Sequence, residues 1–193
     1  MTPSRRVFKD HASDYDRWFD EHNDTYQAQL RMLRKAVPDH GRGLEVGIGS
    51  GRFAVPLGID YGLDPSRELL KMAKSRGTEI VTGEGVHLPY CVGFFDYVLM
   101  MTVVCFLDDA GAVFREIYRV LRPGGKLVAG FIEEGGEIQR IYQHEPAKGR
   151  FPRFAKFRTV EDVDRFFKDA AFVQVSVIER TRGFCVMNGQ KQW

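Results

Sequence analysis

The stretch that most constrains this chain of 193 residues is Gly43-Leu44-Glu45-Val46-Gly47-Ile48-Gly49-Ser50-Gly51-Arg52-Phe53. Leu44, Val46 and Ile48 read as a short apolar strand. Gly47, Gly49 and Gly51 alternate along the loop behind it, and a helix is expected next, kept short by Pro56 and Gly58. Glycine permits positive φ and a close backbone approach that a side chain would block. The expected arrangement is a cradle of bared N–H groups at a helix N-terminus, suited to an anionic or strongly polar group. At the end of the first strand of an open α/β sheet, such a loop marks a nucleotide-type site.

Spacing narrows the nucleotide. The dinucleotide fingerprint is G-x-G-x-x-G, and the phosphate-binding loop ends in G-K-[ST]. This loop is Glu-x-Gly-x-Gly-x-Gly, with no lysine after Gly51. Glu45 ahead of the glycines would repel a pyrophosphate and suits a cation. The pattern resembles the first motif of the class I S-adenosylmethionine (SAM)-dependent methyltransferases. The resemblance implies SAM as cofactor, S-adenosylhomocysteine as product, and Glu45, Gly47, Gly49 and Gly51 as residues near the cationic aminopropyl end.

Later segments extend the resemblance, closely over Leu44 to Phe172 and loosely ahead of it. Tyr61-Gly62-Leu63-Asp64-Pro65-Ser66 reads as a second strand ending in a carboxylate. In a doubly wound sheet an acid there binds a ribose diol, while Asp64-Pro65 also fits a helix N-cap with proline at the first helical position. Ribose binding is favoured, with Pro65 alongside. Thr78 to Thr82 reads as a third strand, leading to Gly83-Glu84-Gly85-Val86-His87-Leu88-Pro89-Tyr90. That segment is similar to the family's Asp-Ala-x-x-Leu-Pro-Phe and implies Glu84 and Gly85 beside adenine, with Glu for Asp and Gly for Ala as departures. Phe94 to Val104, apolar on both faces, fits a central parallel strand. The resemblance sets Thr102 and Val103 against the cofactor. Val113, Ile117, Val120 and Leu121 form a helical stripe, and Leu121-Arg122-Pro123-Gly124-Gly125 turns into a fifth strand. Cys105 reads as a buried structural thiol.

Upstream, residues 14–22 mix aromatic and charged side chains. Tyr26, Leu30, Leu33 and Val37 follow at helical spacing behind a cap at Asn23 or Asp24. Residues 1–40 are read as a helical lid or cap, whose aromatics either pack the N-terminal helix onto the domain or fold over the methionine end of SAM, with Tyr15 the expected ligand contact. Residues 133–158 break the alternation of strands and helices. The bases Arg140, Lys148, Arg150, Arg153, Lys156 and Arg158 there face one acid, Glu145, with Phe151, Phe154 and Phe157 interleaved. Three readings stand: an RNA grip, a solvated insertion whose phenylalanines pack on the core, or a wall of the acceptor site that favours an anionic or aromatic substrate. The second is preferred. Thr159-Val160-Glu161-Asp162 opens a helix with a capping box. Phe172 to Ile178 and Gly183 to Met187 close the chain as two strands.

The expected fold is one α/β domain over residues 1–193, a doubly wound, Rossmann-like, seven-stranded mostly parallel sheet with helices on both faces and the last strand antiparallel. Twenty-eight basic residues against 26 acidic ones give no general argument for nucleic acid or membranes. Met1 to Arg6 lacks the apolar run of a signal peptide, and no stretch has the length of a membrane span. Cys91, Cys105 and Cys185 are odd in number and scattered, so they read as reduced thiols in a cytoplasmic protein. No metal site is expected.

The implied activity is methyl transfer from SAM to an N, O or S atom of a small-molecule acceptor, by a monomer or homodimer, with nucleic acid disfavoured as a partner. Positioning supplies much of such a reaction, so a base is optional, and Tyr15, His87, Tyr142 and His144 are its weak candidates. The alternatives are a non-catalytic SAM-binding or RNA-interacting module and an NAD-dependent oxidoreductase.

Overall fold

The computed structural model describes residues 3–144 and 150–193. Seven strands form one sheet: β1 (Gly43–Val46), β2 (Tyr61–Asp64), β3 (Glu79–Thr82), β4 (Phe95–Met101), β5 (Leu121–Ile132), β6 (Phe172–Thr181) and β7 (Phe184–Lys191). Their order is β3-β2-β1-β4-β5-β7-β6. Strands β1 to β5 pair in parallel, and β7 runs antiparallel between β5 and β6. The strand order reverses beside β1, which opens a crevice at the C-terminal ends of β1 and β4.

Among the described residues seven α-helices accompany the sheet: α1 (Pro3–Asp10), α2 (Ala12–Glu21), α3 (Asn23–Arg34), α4 (Arg67–Ser75), α5 (Ala110–Val120), α6 (Glu137–His144) and α7 (Val160–Asp169). Strand β4 shows why they form two layers. Tyr97, Leu99 and Met101 pack with Leu30 and Leu33 of α3 and Leu70 of α4. Val98 and Met100 point the other way, to Val113 and Phe114 of α5 and Phe167 of α7. Successive side chains of a strand alternate faces, so an uninterrupted apolar run requires cover on both.

Several boundaries differ from the sequence reading, each for a local reason. Behind the glycine loop stands only a single 3-10 turn, Val55–Leu57, in place of a short α-helix. Pro56 has no N–H to give, and Gly58, at φ 67°, ends the turn in the left-handed region. Residues 14–21 belong to α2, and the residue at the cap of α3 is His22, not Asn23 or Asp24. Ser66, not Asp64, caps α4, its Oγ accepting from the Leu69 N–H at 3.4 Å. Phe95 pairs with Leu121 and Tyr97 with Lys126, so the expected turn at Pro123-Gly124-Gly125 is a bulge inside β5. The capping box of α7 stands as read: the Asp162 N–H donates to Thr159 Oγ1 at 3.1 Å, and the Thr159 N–H to the Asp162 carboxylate at 3.4 Å.

Candidate active site

A cavity of about 800 Å³ occupies the crevice. Its floor comes from the loops after β1, β2, β3 and β4, its roof from α1 and α2, and one wall from Ile132, Tyr142, Phe151, Pro152, Ala155 and Phe157.

The glycine loop meets the cavity differently from the expected cradle. The Gly47 and Ile48 N–H groups both donate to the Leu63 carbonyl, at 2.7 and 3.1 Å. The Gly49 N–H donates to Asp64 Oδ2 at 3.0 Å, and the Gly51 N–H to the Ile48 carbonyl at 3.0 Å. These four donors are satisfied within the protein, and no α-helix N-terminus follows. The loop is therefore not an anion nest, because a nest needs donors turned toward the ligand. What the glycines provide is space. A Cβ on Gly47 would overlap the Val103 side chain, and one on Gly49 would come within 3.2 Å of the Tyr15 ring. Gly47 and Gly49 line the cavity, while Gly51 lies outside its lining. Gly51, at φ 82°, lets α4 approach; its Cβ would sit 3.1 Å from Ala73 Cα.

Two carboxylates stand beneath the loop. Asp64 is 8% exposed and lines the cavity. Its Oδ1 accepts from the Ser66 N–H at 2.8 Å, and its Oδ2 from the Gly49 N–H. Burial pushes its pKa up to about 6 against the restraint of those two backbone donors. Glu45 is 1% exposed and lies outside the cavity lining. Its Oε2 has no partner among the described residues. Burial raises its pKa well above the ordinary value, the Ala54 backbone N–H opposes that rise, and the neighbouring Asp64 charge adds to it.

Above the loop, Tyr15 of α2 closes the roof. Burial raises its pKa, and the charges of Asp64, Glu45 and Asp16 raise it further. Tyr15 is thus a phenol at neutral pH, a hydrogen-bond donor and no base. Phe8, Phe19 and Phe151 pack on it at 5.4, 5.4 and 5.5 Å between ring centroids. An ionic latch holds the same helix down. Arg52, next to Gly51, donates Nε and Nη2 to the two Asp16 oxygens, both at 2.9 Å, and Nη1 to Asp20 at 2.7 Å. Arg76, at the C-terminal cap of α4, donates to Asp16 at 2.8 Å and to the Ser50 carbonyl at 2.7 Å. Burial works against the Asp16 charge, yet the Arg52 and Arg76 hydrogen bonds hold its pKa well below the carboxylate range. Sequence reasoning missed this latch. Its trace was the i, i+4 pair Asp16 and Asp20 and the arginine directly behind the last loop glycine.

Pro65, Glu84, Gly85, Thr102 and Val103 line the cavity with Tyr142. Thr102 leaves β4 at φ 54°, its N–H held by the Gly130 carbonyl at 2.7 Å. Cys105 lines it too; its thiol donates to the Thr102 carbonyl at 3.3 Å, and burial raises its pKa to about 12. Burial likewise raises the Tyr142 pKa. His87 and His144 are exposed and lie outside the lining.

The basic segment keeps its charges outside the cavity. Arg150 pairs with Asp14 at 2.8 Å and Lys156 with Asp108 at 3.6 Å. Arg153 lies over the Phe154 ring and Arg158 over the Phe166 ring, while Arg140 is exposed. Glu145 and Lys148 lie outside the described residues. Among the described residues no group of His, Cys, Asp and Glu could hold a metal ion, and no helix is long and apolar enough to cross a membrane.

The model of a methyltransferase domain matches residues 44–129. An uncharacterized protein of Methanocaldococcus jannaschii is 34% identical over 90% of this chain and 84% of its own. A demethylmenaquinone methyltransferase of Anoxybacillus flavithermus is 34% identical over 95% of this chain and 92% of its own. Among solved structures, a SAM-dependent methyltransferase of Thermotoga maritima, described as a possible histamine N-methyltransferase, superimposes with a TM-score of 0.90. It is 30% identical over 97% of this chain and 99% of its own.

Proposed function

This chain belongs to the SAM-dependent methyltransferases, and on that premise we propose that the cavity binds SAM along the loops after β1, β2 and β3 and a small-molecule acceptor against the wall of Ile132, Tyr142, Phe151 and Phe157. SAM supplies a methyl group on a sulfonium, transferable to the lone pair of an N, O or S atom. The protein's contributions are binding, orientation and exclusion of water. Asp64 accepts the ribose hydroxyls, Gly47 and Gly49 let the aminopropyl end lie against backbone, and Tyr15 covers it. Pro65, Glu84 and Gly85 flank the adenine, and Thr102 and Val103 support the reacting centre.

The observation that carries this reading is the pairing of Asp64 with a glycine loop whose amides are satisfied internally. A buried acceptor beneath donor-free backbone suits a diol and a cation and opposes a pyrophosphate, which disfavours the nicotinamide alternative. Glu45 lies beneath the loop and outside the lining, where burial opposes its charge. The relatives' names point to different acceptors, demethylmenaquinone for one and histamine for another, so the acceptor is read from the cavity. The internal pairing of Arg150 and Lys156 supports a small molecule over RNA. Three unpaired thiols support the cytoplasmic setting.

Calorimetric titration with SAM, S-adenosylhomocysteine and NAD in one buffer tests the cofactor assignment. Both adenosyl ligands should bind and NAD should not; NAD binding alone would show that the glycine spacing misled.

A further inference from the structure

The charges lining the cavity are unevenly placed. Lys9, Asp64, Arg67, Glu68 and Glu84 lie on α1, the end of β2, α4 or the loop after β3. The opposite wall, built by Cys105, Phe106, Ile132, Tyr142, Phe151 and Phe157, holds no charged residue among those described. Its two titratable groups are a thiol whose proton is directed at the Thr102 carbonyl and a phenol. Burial raises the pKa of both. No histidine lines the cavity.

From this wall we infer that the acceptor is an uncharged, aromatic-sized molecule whose reacting atom is a nitrogen with a free lone pair, an amine or a ring nitrogen. The inference rests on the SAM reading of the other half of the cavity and extends it. A carboxylate or thiolate would enter an apolar lining that the Arg158 charge reaches only from behind Cys105, at a large desolvation cost. A hydroxyl would need a base, and the wall supplies none that is deprotonated near neutral pH. A neutral nitrogen needs neither. It forms the new N–C bond with its own lone pair and takes on the positive charge, the old C–S pair staying on sulfur. The cation formed then lies among aromatic rings, which attract it. An N–H proton, where there is one, leaves to solvent after release.

The test titrates the S-adenosylhomocysteine-saturated protein with three probes of one shape: isoquinoline, N-methylisoquinolinium and 2-naphthoate. The first two should bind about tenfold or more tightly than the third. Phe157→Leu should weaken N-methylisoquinolinium about three- to tenfold and leave S-adenosylhomocysteine affinity unchanged. Tight naphthoate binding, no binding of any probe, or an unaltered cation affinity in the variant overturns the inference while the cofactor reading stands. Failure to bind S-adenosylhomocysteine overturns both. In methyl transfer at saturating SAM and above pH 7, where Asp64 stays ionised, rates for two amines of different basicity should follow each amine's own free-base fraction. A shared inflection set by the protein would overturn the claim that the wall provides no base.

Discussion

Replacing Asp64 by asparagine separates what that carboxylate does for the fold from what it does for the ligand. In the parent, burial raises the pKa from 3.8 to about 6. Because the folded value lies above the unfolded one, the favourable contribution is complete below about pH 4. It is lost as pH rises through 6, and the ionised group then costs the fold roughly 3 kcal/mol at neutral pH. Asparagine mimics the protonated acid and carries no charge, but its NH2 must face one of the two backbone donors, Gly49 or Ser66, at a cost of about 1 kcal/mol. Asp64→Asn should therefore fall about 1 kcal/mol below the parent near pH 4 and exceed it by about 2 kcal/mol at pH 7. SAM affinity should move the other way, falling by about 1.5–3 kcal/mol with the loss of a charge-assisted hydrogen bond. For the parent, affinity should also weaken below pH 6, by about tenfold per unit, as Asp64 takes up its proton. Urea melts of both proteins from pH 4 to 7 measure the first effect, and calorimetry with SAM the second. A stability difference that does not change with pH refutes the burial argument. An unchanged SAM affinity refutes the ribose assignment.

Gly49→Val places a β-branched residue at φ 55° with its Cβ against Tyr15, and calorimetry should show SAM binding lost by about a hundredfold or more. Asp16→Ala removes the carboxylate that joins Arg52 and Arg76 and should cost about 1–3 kcal/mol of unfolding free energy at pH 7. Since the Asp16 pKa is depressed in the fold, that difference is fully present above about pH 4 and shrinks as pH falls below it, which acid melts of the two proteins would reveal. Tyr15→Phe should weaken SAM binding by about 0.5–1.5 kcal/mol and leave the pH profile of turnover unmoved, because the phenol stays protonated; a shifted profile would make Tyr15 a base.

The sheet was legible because its strands announce themselves locally. Leu44 to Ile48, Tyr61 to Asp64 and Phe95 to Met101 are apolar runs bounded by glycine, proline or acid, and parallel strands buried on both faces read that way. The cavity residues Gly47, Asp64, Glu84 and Thr102 were marked by position at strand ends. What could not be read depends on distant partners. The amides of Gly47 and Ile48 looked available until the Leu63 carbonyl, on the neighbouring strand, was seen to take both. Gly51 looked like a ligand contact, and its neighbour is instead Ala73 of α4. Helix α1 has a polar composition with few apolar residues, and its place over the cavity comes from Phe8 meeting Phe106 and Phe151, contacts that span most of the chain.

The single 3-10 turn between β1 and β2 has a consequence for what counts as a unit of folding. Chains of this architecture ordinarily cover that flank of the sheet with the crossover helix of a βαβ unit. Here Ile48, Phe53 and Ala54 are covered instead by Phe19, Leu30 and Leu33, contributed from ahead of the first strand. The segment shared with the methyltransferase domain model, residues 44–129, consequently keeps only α4, through Leu70 and Ala73, as cladding on that flank. Excised at Gly43, it would present an oily flank beside its glycine loop and associate before it could hold a nucleoside.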